Sequence, residues 1–100
     1  MTSTFENSKG YKVLVLSAEE IKVWPRAEVC DRCGGKIGSN GFYVGACNLM
    51  YCPECYEEWH ASAPKKHEIQ VLRESTHLAK AFEYIAEALP HQKKQSNETL

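Results

Sequence analysis

Two CxxC pairs, Cys30/Cys33 and Cys52/Cys55, separated by 18 residues, constrain this 100-residue chain more than any other feature in it. Each CxxC turn points two sulfurs at one place, and a segment of that length folds back to bring the pairs together, so four thiols so spaced read as a closed tetrahedral zinc site. Two disulfides or a redox CxxC are the rival readings. A disulfide framework belongs to exported chains, and a redox pair has no need of a second pair at this spacing.

The pairs differ, and the difference predicts a fold. Cys33 is followed by Gly34 and Gly35, which can take up the positive φ of a knuckle and let backbone N–H groups face sulfur. The second pair reads Cys52-Pro53-Glu54-Cys55-Tyr56-Glu57-Glu58-Trp59, with proline suited to the first helical position and acids in the first turn. Cys52 is then the N-cap and Cys55 lies in the first turn, where the positive end of the helix favours thiolates. A knuckle, a hairpin and a helix whose N-terminus gives the last two ligands make a treble-clef finger. An iron site of the rubredoxin kind would want a glycine-bearing knuckle at both ends.

With 43% hydrophobic and 25% charged residues, the chain reads as one small α+β domain over residues 10–89, with the finger at 28–63. Residues 1–9 and 90–100 are expected to be flexible ends. A core of this size is marginal, whereas structural zinc contributes roughly 10–16 kcal/mol of apparent binding free energy, so chelation is expected to unfold at least the middle of the chain. The opening MTSTFENSKG has no apolar core of a signal peptide, and no run reaches the length of a membrane span, which predicts a cytoplasmic protein with reduced thiols. The formal charge of −1 falls to about −3 with four thiolates and one Zn²⁺, against a generic polyanion binder.

Around the finger, Tyr11–Leu16 reads as a buried strand, and Ser17 with Glu20 as a capping box opening a turn of helix over residues 18–22. An extended segment leading to Pro25 is the alternative there. Trp24 reads as a packing residue. Gly38–Gly41 form a turn, Phe42–Val44 and Leu49–Tyr51 the hairpin strands, and Asn48 the turn between them. The helix from Pro53 ends by Ala63. His67–Arg73 alternates apolar and polar residues and predicts a strand beside Tyr11–Leu16. An amphipathic helix then begins after Ser75 or Thr76, with Leu78, Phe82, Ile85 and Leu89 on one stripe, Lys80, Glu83 and Glu87 opposite, and Pro90 at its end.

The stretch VCDRCGGKIGSNGFYVGACNLMYCPECYEEW resembles the treble-clef fingers of small bacterial and phage proteins, in which a CDxCGxxI knuckle precedes a CxxCYxxW-like helix. It is also similar in part to ZZ-type fingers, which share an acidic residue after the first cysteine, a glycine and aromatic in the hairpin, and a cysteine pair followed by two histidines. That likeness implies a second zinc; here its hairpin ligands fall near Val44 and Cys47, with His60 and His67 downstream, one ligand short of a closed site. It also implies that Asp31 holds a partner's N-terminal amine; alternatively, Asp31 caps the knuckle. Cys47 otherwise reads as a free, partly buried thiol.

A zinc held by four cysteines has no open position for water, and no nucleophile–base pair, carboxylate pair or phosphate loop stands out, so no enzymatic activity is expected. His60, His67, His77 and His91 are the remaining titratable candidates. The leading expectation is a non-enzymatic zinc-binding domain mediating protein–protein interaction, a small regulator, with Asp31, Tyr43 and Trp59 as anchors beside the knuckle. The alternative is nucleic-acid binding through Lys22, Arg26, Arg32, Lys36, Lys65, Lys66 and Arg73. Redox sensing through Cys47 is a third class.

Overall fold

The computed structural model describes the backbone of residues 3–98 and side chains as far as Ala88. Its centre is a four-stranded antiparallel sheet in the order β1 (Ser3–Glu6), β2 (Lys12–Leu16), β3 (Gly41–Val44) and β4 (Leu49–Tyr51). The register pairs Phe5 with Val13, Val13 with Val44, and Val44 with Leu49, so these side chains share one face with Val15, Phe42 and Tyr51. The other face carries Thr4, Lys12, Leu14, Leu16, Tyr43 and Met50. Each face has its own cover, which is why the β2 sequence Lys-Val-Leu-Val-Leu is nearly continuously apolar.

The first face is covered by α2 (Pro53–Ser62). Tyr56 stacks on Phe42 at 4.7 Å between centroids, and Trp59 lies against Tyr11 and Tyr51. On the second face sit α1 (Ala18–Val23) and α3 (Ile69–Glu98). The expected capping box opens α1: Ser17 Oγ accepts from the Glu20 N–H, and Glu20 Oε1 accepts from the Ser17 N–H. A 3₁₀ turn, Pro25–Glu28, then leads into the knuckle.

Three expectations need correction. Residues 3–9 are built into the fold rather than frayed. Ser3–Glu6 forms the edge strand, and the loop after it docks on the end of α2: Lys9 Nζ donates to the His60 and Ala63 carbonyls, and Tyr11 Oη donates to the Pro64 carbonyl. These contacts satisfy the carbonyls that a helix C-terminus leaves without partners.

The strand expected over His67–Arg73 is absent; residues from Ile69 onward are helical. β2 already has β1 on one side and β3 on the other, so no position beside it is left, and Gln70, Leu72, Arg73 and Glu74 are good helix formers. The buried stripe of α3 is accordingly Glu74, Leu78, Ala81 and Ile85, while Phe82 is 39% exposed and Leu89 lies outside the described side chains.

Pro90 does not end α3, whose backbone continues to Glu98 through the stretch expected to be a tail. Proline forfeits one intrahelical hydrogen bond there without forcing a stop.

Candidate metal centre

The first ligand pair is shaped by the knuckle. The Gly34 N–H donates to the Cys30 carbonyl at 2.9 Å, with Gly34 at φ 74°, a left-handed conformation that glycine adopts without strain. The Gly35 N–H then points at Cys33 Sγ at 3.4 Å. A bridge between Val29 and Lys36 closes the loop from outside. The second pair follows the helix start as expected: Cys52 is the N-cap in extended conformation, Pro53 opens the helix, the Tyr56 N–H donates to the Cys52 carbonyl at 2.9 Å, and Cys55 sits in the first turn.

What brings the pairs together is Asp31. Its N–H donates to the Met50 carbonyl and its Oδ2 accepts from the Met50 N–H, both at 2.7 Å, so the knuckle runs against β4 just before Cys52. Arg26 pairs with the same carboxylate oxygen at 3.3 Å. Arg32 bonds Glu58, joining the knuckle to α2 from the solvent side.

The four sulfurs of Cys30, Cys33, Cys52 and Cys55 all lie within 4.8 Å of one another, with Cys33 and Cys52 at 3.9 Å. Four sulfurs about 2.3 Å from a tetrahedral ion stand about 3.8 Å apart, so the cluster fits a Cys₄ metal ion. Cys30 and Cys55 are buried and Cys33 is exposed, which puts the centre at the surface with its inner half in the core.

The thiols are not equivalent. Burial opposes ionisation of Cys30, but the backbone N–H groups of Cys33, Cys52 and Arg32 outweigh it and bring its pKa down to about 6. Burial, together with the neighbouring sulfurs of Cys52, Cys30 and Cys33, pushes Cys55 up to about 12. Arg32, bonded first to Glu58 and also to Cys55, brings a positive charge against the outer edge of the cluster.

Among the described residues this is the one group of three or more Cys, His, Asp or Glu side chains close enough to hold an ion. Cys47, His60 and His67 do not meet. Cys47 lies half-buried in the β3–β4 turn with its thiol pushed up by burial; His60 bonds Ser8 Oγ at 2.9 Å and stacks on Tyr56; His67 is exposed at the start of α3. His77 Nδ1 meets the Gly45 carbonyl at 2.8 Å, and His91 lies outside the described side chains. Asp31 is engaged within the fold, Tyr43 is 2% exposed, and Trp59 is packed among rings, so the three residues expected as anchors serve the finger's own packing.

Glu74, which no local sequence signal marks, is 2% exposed and accepts from the Lys12 N–H at 2.8 Å and from Lys66 Nζ at 2.7 Å, fixing α3 to the sheet. The edge strand does have a local signal, since Asn7-Ser8-Lys9-Gly10 before an apolar run is turn composition and marks a hairpin. No helix among the described residues is long and apolar enough to cross a membrane. No family model, curated protein or solved structure matches the chain.

Proposed function

We propose that this chain is a non-enzymatic, zinc-stabilised treble-clef module that binds another protein by taking an extended segment of it along β1. The observation that carries this reading is the difference between the two edges of the sheet. At β4, Asp31 occupies both the N–H and the carbonyl of Met50. At β1 all four residues are exposed, and among the described residues the strand pairs with β2 alone. An open edge is a template for an incoming strand.

Beside that edge runs a groove of about 510 Å³ between the sheet and α3, with Thr4 on one wall and Val71, Ala79 and Phe82 on the other. Val71 is 50% and Phe82 39% exposed, which gives side chains of an added strand apolar surface to cover. One zinc per chain, held by four thiolates, leaves no coordination position for water and so favours a structural over a catalytic role. Thiolate ligands need a reducing compartment, and on that ground we place the protein in the cytoplasm.

The test is selection of peptides from a random library on the zinc-loaded protein, followed by amide hydrogen exchange with and without a selected peptide. β1 amides should exchange more slowly in the complex, and Val71→Glu or Phe82→Glu should weaken binding at least tenfold at unchanged zinc content. Peptides that leave β1 unprotected overturn the reading. So does β1 protection that rises with protein concentration alone, which would make a second copy the occupant. Binding only to mixed DNA or RNA, lost steeply with salt, would replace it with the nucleic-acid reading.

A further inference from the structure

The opposite flank of α3 carries a different surface. Between α3, the 3₁₀ turn and the β3–β4 turn lies a cleft of about 390 Å³ whose lining includes three rings, Trp24, Tyr43 and Tyr84, and three basic side chains, Arg26, His77 and Lys80. No carboxylate lines it. We propose that this cleft binds a nucleotide unit, a planar base carrying a phosphate, either free or within a single strand. The site is separate from the β1 groove and does not rest on it.

The parts are held for that task. Trp24 is half-buried and packs T-shaped with the buried Tyr43 at 5.1 Å between centroids, so the wall is rigid, while Tyr84 is 48% exposed and available to a ring laid on it. Tyr43 Oη donates to Asn48 Oδ1 at 2.5 Å, which turns the Asn48 amide so that its Nδ2 keeps two donors for a base edge. Arg26 is held through Nη2 by Asp31 and by the Asn48 carbonyl, and a guanidinium has five N–H donors, so those on Nη1 and Nε are left for an anion. His77 gives its Nδ1–H to the Gly45 carbonyl, since a carbonyl can only accept, which leaves Nε2 uncommitted by that bond.

Lys80 is exposed on α3 four residues before Tyr84, so the two side chains share one face of the helix and line the same cleft. An anion alone would need only the cations. Ring faces beside cations suit a ligand that is flat at one end and anionic at the other, because base–aromatic stacking and phosphate pairing then act together. The volume lies within the range of small-ligand sites, about 300–1,000 Å³.

The experiment titrates the zinc-loaded protein with AMP, UMP, an eight-nucleotide single strand, inorganic phosphate and a phosphopeptide, following tryptophan fluorescence and Tyr84 and Lys80 shifts by NMR. Saturable quenching by mononucleotides or the single strand is expected, at least tenfold weaker in Tyr84→Ala and Lys80→Glu; both positions are exposed, so zinc content and circular dichroism should not change. A strand that binds more than tenfold tighter than the mononucleotides identifies single-stranded nucleic acid as the source, and equal affinities identify the free nucleotide. The proposal is overturned if no nucleotide or strand shifts Tyr84 and Lys80 at millimolar concentration, if both variants bind as wild type does, or if only the phosphopeptide binds.

Discussion

Removing the Glu74 carboxylate should loosen the join between α3 and the sheet more than any other single polar change. Its two oxygens each serve one donor, the Lys12 N–H and Lys66 Nζ, in a site where the carboxylate side chain is 3% and the lysine 15% exposed. Breaking a buried ion pair from one side costs about 3–5 kcal/mol when the remaining charge stays trapped. Lys66 can turn partly to water, which removes much of that penalty, whereas the Lys12 N–H loses its acceptor and costs about 1–3 kcal/mol if it stays buried. Glu74→Ala is therefore expected to lower stability by about 2–4 kcal/mol, a large share of the roughly 5–15 kcal/mol of a small domain. Urea unfolding of the zinc-loaded protein reads this as a lower midpoint at unchanged slope. A double-mutant cycle with Lys66→Met separates the two parts, because the double variant should cost less than the sum of the singles. A loss below about 0.5 kcal/mol, the size of an ordinary surface substitution, would show that Glu74 does not anchor the helix.

Two further outcomes follow from packing. A Cβ at Gly45 would stand 2.9 Å from Leu78 Cγ and 3.2 Å from the Glu74 carbonyl, so Gly45→Ala should push α3 off the β3–β4 turn and lower the melting temperature, at a cost of about 1–3 kcal/mol; an unchanged melting curve would mean the contact yields freely. Ile85→Ala should cost about 2–5 kcal/mol, as for a buried aliphatic truncation, and Phe82→Ala clearly less because its ring is 39% exposed; equal losses in urea titrations would contradict the observed burial.

The finger was legible because its signals are local. The capping box at Ser17, the proline after Cys52, the positive φ of Gly34 after Cys33 and the apolar runs at Leu49–Tyr51 and Phe42–Val44 each act within a few residues, and each forms as the sequence implies, whereas Gly35 does not take a positive φ. What stayed hidden depends on partners distant in sequence. Ile69-Gln-Val-Leu-Arg alternates like a strand, yet the place beside β2 was taken by Ser3–Glu6, a segment too short and polar to announce itself. Glu74 looked like one more surface acid until the fold put it under Lys66 and the β2 backbone. Phe82 fits the apolar period of α3 but stands at the border of its buried stripe, facing the groove beside β1. Asp31 carried two readings in the sequence, and its hydrogen bonds to Met50 give it a third role, tying the knuckle to β4.

The central claim is that Cys30, Cys33, Cys52 and Cys55 hold one zinc on which the finger depends, and native mass spectrometry with elemental analysis tests it most directly. The expected result is one zinc per chain in the wild type, full retention in Cys47→Ser, and loss of both the metal and the folded finger in Cys52→Ser or on chelation. Two zincs per chain, iron with a thiolate absorption, or a Cys52→Ser variant that keeps its metal and its fold would contradict it.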